Sequence, residues 1–444
     1  MPSLTFIPQI NAKPYHSEIL IRLPTEWEPW PTDENSANSS EALDLFLKHS
    51  KKRSFSWPKR PVVFVSDPHA DADAFEASLV ASGAVERHGM HQCEFKLTKF
   101  GKTAEIIVGG DCLDKGPSNL ALLRSVAHLY RLKAKVTLLA GNHDLRLLMG
   151  LLSLDRDNDI GSQHLFVRMG RKVVPLFREV FDQYLSNSRW QKGIPSEDDC
   201  RKALFPDDDW FESFPFYAAG FLTAEGIDRE MSKMETKIQS FEQHCADAGL
   251  TLQQVYAASL KCHSLFLKKS GEFSWFFKKM RLIKQRGSFL FLHAGLDDHM
   301  AHLLAKRGIK HANKAFKKNL MTQNLFNFYY SPLANTFRTK YRDADLPLTP
   351  RGTKATKQAG IRVLVHGHVN QHGGQRIALK NGLIHIEADI TLDAHSRARE
   401  GLDGVGVGVT LIDRNRGVVG ISCDHPRAKV FKPDRQGRLQ EPRK

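Results

Sequence analysis

Three observations in the sequence predict an α/β fold. Apolar, β-branched runs alternate with segments of helical periodicity. Each run ends in turn chemistry carrying a carboxylate, amide or imidazole. One long stretch of purely helical pattern interrupts the series. The first run, PVVFVSD (61–67), is a buried strand followed by a loop, and residues 71–82 follow with helical spacing. EIIVGGD (105–111) is the second strand, and 118–132 is a helix by its Leu/Val spacing. VTLLAGNHD (136–144) is the third, with a helix opening over 145–152. The strand pattern returns at SFLFLHAG (288–295), and a basic helical segment then runs to about residue 320. IRVLVHGHV (361–369), LIHIEADI (383–390) and VGVTLID (407–413) are three further strands. In such an alternation, residues at the carboxyl ends of strands line the site.

The remaining segments set the expected boundaries. Residues 155–284 form a helical insertion, with helices over 227–247 and 251–268. Residues 1–57 are an N-terminal extension packed on the core, with a Trp27/Trp30/Pro31 cluster, a polar stretch over 33–40 and a short helix over 41–48. Residues 58–425 are expected to form the main domain, with that insertion inside it, and 426–444 a basic tail that lacks fixed structure.

A chain of 444 residues fits one large domain with insertions or two domains. Its 41% hydrophobic content suffices for a sizeable core, and its mean hydropathy is −0.38. The net charge of +15 and pI near 9.5 favour anionic partners. Six scattered cysteines without a C-x-x-C pair argue against a zinc ribbon or a disulfide framework. No basic segment followed by a long apolar run opens the chain, and no apolar stretch reaches membrane-span length, so a cytoplasmic protein without membrane contact is expected. Residues 261–318 hold fourteen Lys/Arg against Glu272, Asp297 and Asp298, with Phe273, Trp275, Phe276 and Phe277 interleaved. That segment reads either as a nucleic-acid face or as a solvated helix face with its apolar side buried. The second is favoured, because no nucleic-acid motif accompanies it.

Asp67 and His69 share one loop after a strand, so a carboxylate and an imidazole can hold a metal ion together. Asp111 follows two glycines that permit close approach, and its carboxylate can bridge two cations. Asn142 offers an amide oxygen, and His293 and His368 offer imidazoles at later strand ends.

The ordered series D-x-H, G-D-x-x-D-x-G, G-N-H-D, H-A-G and G-H resembles the calcineurin-like metallophosphoesterase superfamily. It looks closest to the PPP branch of phosphoprotein phosphatases and bacterial symmetrical diadenosine tetraphosphatases. The resemblance rests on residues 62–150 and 288–413, above all GDCLDKGPSNLALLR and GNHDLRLL. It implies a four-layer α/β/β/α sandwich carrying two divalent ions. Asp67, His69 and Asp111 would hold the first, and Asp111, Asn142, His293 and His368 the second. His366 is an alternative ligand, since some members use both histidines of G-H-x-H. Oxygen and imidazole ligands suit Mn, Fe, Zn or Co without selecting among them. Two such cations activate a bridging hydroxide for in-line attack at phosphorus. His143 matches the general acid and Asp114 the carboxylate that orients it, while Lys115 and Arg146 are candidate phosphate contacts. The implied activity is a PPP-like phosphatase on phosphoprotein or small phosphoesters. A diadenosine tetraphosphatase-like nucleotide hydrolase, or a nucleic-acid-associated phosphoesterase working through 261–318, is the alternative. The chain departs from the branch at Ala70, which replaces a glycine, at Lys115, which replaces an arginine, and at Val369-Asn370 after His368.

Overall fold

The computed structural model describes residues 23–32, 39–155, 159–321, 324–343 and 345–433. Its strands are β1 (Trp27–Pro29), β2 (Val62–Val65), β3 (Val85–Arg87), β4 (Phe95–Leu97), β5 (Glu105–Val108), β6 (Lys135–Leu138), β7 (Lys284–Arg286), β8 (Phe289–Phe291), β9 (Val363–His366), β10 (Arg376–Lys380), β11 (Leu383–Glu387), β12 (Gly408–Asp413), β13 (Gly417–Ser422) and β14 (Ala428–Phe431). Seven of them form one sheet in the order β1-β14-β13-β12-β2-β5-β6, and five form a second in the order β10-β11-β9-β8-β7.

The two sheets face each other. Phe64, Ile107, Ile412, Val418 and Phe431 of the larger sheet meet Phe289, Phe291, Val363, Val365, Ile384 and Ile386 of the smaller in one buried cluster. The ring centroids of Phe64 and Phe291 lie 5.8 Å apart. Val63, Val65, Ile106 and Val108 alternate with these residues and pack on the helical side. Burial on both faces is why the sequence shows continuous apolar runs there rather than strict alternation. Helices Ala72–Ala81 and Asn119–Arg131 cover the larger sheet, which completes an α/β sandwich.

Register decides where the site falls. β2, β5 and β6 run parallel in step, with Val65 beside Val108 and Val108 beside Leu138. β8 and β9 run parallel in the second sheet, with Phe291 beside Val365. The loops after these five strands carry Asp67, Asp111, Asn142, His293 and His368.

Several segments differ from expectation. Residues 428–431, assigned to the basic tail, form β14 inside the larger sheet, because Val430 and Phe431 pair with β13 and are buried. Residues 434–444 of that tail lie outside the described residues, as do 1–22 and 33–38 of the N-terminal extension. The described part of that extension supplies the edge strand β1 and helix Ser39–Ser50. The helix wedges Phe46 between the sheets, 4.1 Å by ring centroid from Phe431 and 6.1 Å from Phe289. The third strand ends at Leu138, because Asn142 already opens helix Asn142–Ser153. The insertion includes helices Ala224–Asp247 and Leu252–Leu267 and its last helix ends at Lys279, but its final residue, Lys284, already opens β7 of the smaller sheet. No helix among the described residues is long and apolar enough to cross a membrane.

Candidate active site

The loops at the strand ends are built from unusual backbone. Asp67, His69, Ala70, Asp111, Asp114, Lys115 and His368 all have left-handed φ, between 38° and 71°. Such conformations cost energy for non-glycine residues and cluster where a site demands particular side-chain directions. Hydrogen bonds lock them: His69 N–H donates to Asp111 O at 2.9 Å and Ala70 N–H to Cys112 O at 2.8 Å. Gly367 must be glycine, because a Cβ there would lie 1.7 Å from Asp67 Oδ2.

Three imidazoles converge on Asp111 Oδ2. His69 Nε2 is 3.8 Å away, His143 Nε2 3.9 Å and His293 Nε2 3.4 Å. In each ring the other nitrogen is fixed from behind. Leu113 O lies 3.1 Å from His69 Nδ1, Asp114 Oδ2 2.7 Å from His143 Nδ1, and Gly109 O 2.9 Å from His293 Nδ1. At His69 and His293, a proton held at Nδ1 by a backbone carbonyl leaves the Nε2 lone pair facing the centre, the arrangement metal-binding imidazoles need. The donors fall into two sets that share Asp111, one with His69 and His143 and one with His293 and His368. Asn142 Oδ1 stands 3.2 Å from His293 Nε2. Asp67 lies beside the second set, its Oδ2 accepting from His368 N–H at 3.1 Å and from the Ser66 hydroxyl.

The electrostatics call for positive charge. Asp67 and Asp111 are both buried, and Asp67 Oδ1 has no hydrogen-bond partner. Burial lifts the Asp67 carboxyl above its ordinary range. Burial also pushes Asp111 up, but the charges of His293, His143 and His69 outweigh it and hold that carboxyl well below the usual range. The same pull works on His293, where burial opposes the charge yet Asp111 and Asp67 push it up to about 10. Lys115 places its ammonium 2.6 Å from His69 Nε2. A buried carboxylate oxygen without a donor, among imidazoles that share its neighbour, is a donor set that fits divalent cations.

The other predicted residues take these places. Asp114 is buried and lifted to about 7 by burial, and its backbone N–H donates to Asn119 Oδ1. Arg146 is half-buried, and its charge reaches both Asp114 and His143. His366 points elsewhere: its Nε2 is 2.9 Å from His385 Nδ1, and it belongs to neither donor set. In the basic segment, Phe273, Phe276 and Phe277 are buried, and Lys317 Nζ donates to the carbonyls of Phe277 and Lys278. Those aromatic faces are therefore core.

Asp144 lies in the first turn of helix Asn142–Ser153, where the helix dipole favours a carboxylate, and it does more than that. Its carboxylate accepts from Cys112 N–H at 2.9 Å, Leu113 N–H at 3.2 Å and Gly141 N–H at 3.1 Å. It thereby ties the Asp111 loop to the Asn142 loop. Arg168, Lys237 and Arg338, whose charges act on Tyr329, and Lys172, whose charge acts with that of Arg146, carry no motif in the sequence.

An α/β sandwich with a carboxylate-bridged pair of donor sets at its strand ends defines a metallophosphoesterase-type hydrolase. The family model for calcineurin-like phosphoesterases matches residues 60–371, more than half of the chain, and the chain belongs to that family. It is accordingly a hydrolase acting on phosphoester bonds. No curated relative matches. Solved structures to which the chain is similar include a cold-active protein tyrosine phosphatase at 14% identity, covering 90% of this chain and 87% of that one, with a TM-score of 0.44. A protein serine/threonine phosphatase from Saccharomyces cerevisiae is 12% identical over 84% of this chain and 79% of its own, with a TM-score of 0.36. A putative diadenosine tetraphosphatase is 14% identical over 82% and 95%, with a TM-score of 0.28.

Proposed function

We propose that the chain is a dinuclear metal-dependent phosphatase of the PPP type, acting on phosphoprotein or small phosphoesters. The observation that carries this reading is the convergence of three fixed imidazoles on Asp111 Oδ2, with a second donor set sharing that same carboxylate. Asp67, His69 and Asp111 would hold one cation, and Asp111, Asn142, His293 and His368 the other. Divalent cations held by these residues would supply Lewis-acid charge to the phosphoryl oxygens and to the attacking water.

The chain's own residues do the rest. Asp114 holds His143 Nδ1 at 2.7 Å, so Nε2 is the nitrogen that meets the leaving oxygen. Burial pushes Asp114 up to about 7 and holds His143 well below the ordinary imidazole range. The two therefore share one proton near neutrality as a coupled pair. His143 donates the proton on its Nε2 to the leaving oxygen while the proton shared with Asp114 stays on Nδ1, so the ring ends neutral, and the Asp114 carboxylate stabilises the imidazolium that precedes transfer. Lys115 and Arg146 offer positive charge to the non-bridging oxygens. Lys115 acts as a point charge without the bidentate fork of an arginine.

The test is hydrolysis of phenyl phosphate, whose leaving oxygen needs protonation, by metal-loaded protein, with His143→Asn as control. Turnover that His143→Asn strongly reduces is expected. Absence of turnover with bound metal verified, or a fully active His143→Asn, would overturn the reading.

A further inference from the structure

Cations crowd one side of the centre, and most have no acid to answer them. Arg146 lies on helix Asn142–Ser153, Lys172 in the 3-10 turn Arg171–Val173, and Lys237 on helix Ala224–Asp247. None of the three side chains makes a hydrogen bond or ion pair with a described residue. Arg338 meets aromatic rings, its guanidinium carbon 5.2 Å from the Tyr329 ring centroid and 6.0 Å from that of Tyr330. Arg168 sits 5.2 Å from the Tyr329 centroid, donates to the Tyr330 hydroxyl at 3.1 Å and pairs with Glu230. Its Nε is buried without a partner.

These groups form one cluster. Tyr329 feels Arg168, Arg146, Arg338 and Lys237 strongly enough that its phenol falls to about 7, although burial pushes the other way. Packing brings them together: helix Asn142–Ser153, which carries Arg146, contacts the 3-10 turn Val167–Met169 that carries Arg168, and helix Ala224–Asp247, which carries Lys237, contacts that turn and the turn Arg171–Val173 that carries Lys172. Lys237 is half-buried, and a cation in that setting is costly unless an anion accompanies it. The cluster has a side: the charges of Arg146 and Lys172 act on both Asp114 and His143, the pair assigned to the leaving group.

We infer that the helical insertion completes an anion subsite from Lys172, Lys237 and Arg168 beside Arg146. This subsite binds a further phosphate on the leaving-group side, so the substrate is a phosphoester carrying at least one additional phosphate. The inference rests on the phosphoesterase reading for its orientation.

The test uses the full chain and two measurements. Calorimetry compares inorganic tripolyphosphate with inorganic orthophosphate, and steady-state kinetics compare adenosine 3′,5′-bisphosphate with adenosine 3′-monophosphate. Wild type should favour the multiply charged member of each pair by about tenfold or more, the scale of one added charge-assisted contact. Lys172→Gln combined with Lys237→Gln should bring both ratios to near one. Lys172→Gln alone, at an exposed position, should lower both in part and guards against misfolding of the double variant. Wild-type ratios near one, or ratios kept in both variants, would overturn the subsite. Loss of p-nitrophenyl phosphate turnover in wild type with the tripolyphosphate preference intact would instead count against the phosphoesterase reading and leave the subsite standing.

Discussion

Asp114→Asn isolates the proton-delivery step from everything else at the centre. The carboxylate is buried, accepts from His143 Nδ1 at 2.7 Å and belongs to neither donor set. The amide is of the same size, so metal content and fold should persist. What is lost is the anion behind the imidazolium. A hydrogen bond to a charged partner contributes about 1.5–3 kcal/mol. At about 1.4 kcal/mol per tenfold, that is a loss of about ten- to hundredfold in kcat/KM. The loss should depend on the leaving group. Phenyl phosphate needs its leaving oxygen protonated, whereas p-nitrophenyl phosphate departs with little help, so the deficit should be large on the first and small on the second. The assay is kcat/KM on both substrates, with metal content measured on the same preparations. Equal losses on both substrates, or none on phenyl phosphate, would refute the assignment of His143 and Asp114 as a proton-donating pair.

The remaining predictions follow from the same geometry. The proton shared by Asp114 and His143 is held below about pH 7 and released above it, since burial lifts Asp114 to about that value. The kcat/KM for phenyl phosphate should therefore fall as pH rises past about 7, and Asp114→Asn should remove that limb from the pH profile. Gly367→Ala would bring a methyl carbon to 1.7 Å from Asp67 Oδ2, so bound metal measured by elemental analysis should drop with little recovery on adding excess metal. His368→Ala should lose bound metal, whereas His366→Ala should retain it, because His366 Nε2 is turned to His385 at 2.9 Å. Asp144→Ala leaves three buried N–H donors unanswered, at about 1–3 kcal/mol each. Its urea midpoint should fall by the equivalent of about 3 kcal/mol or more.

Much of this centre was legible in the sequence because each ligand candidate closes an apolar run. Strands such as VVFV and EIIV are buried on both faces and therefore apolar throughout, so the residues that end them stand out. The short edge strands did not announce themselves. Trp27–Pro29 and Ala428–Phe431 have three and four residues, and the only partner of the first among the described residues, β14, is remote in sequence. Polar residues around β14 made it look like a tail, although Val430 and Phe431 fill the space beside β13. The position of Asp144 in the first turn of a helix is local, but only the approach of the Asp111 loop gives it three backbone donors. Lys172, Lys237 and Arg338 come from separate segments of a long chain. Their meeting around Arg146 and Tyr329 is a tertiary fact that no local pattern encodes.

The claim on which the account depends is that Asp111 bridges two cations. Elemental analysis of wild type and Asp111→Asn, paired with p-nitrophenyl phosphate turnover, tests it most directly. Wild type should carry two divalent ions per chain, and Asp111→Asn should lose bound metal together with turnover while keeping its fold by circular dichroism. An Asp111→Asn protein that keeps both ions and its activity would contradict the account.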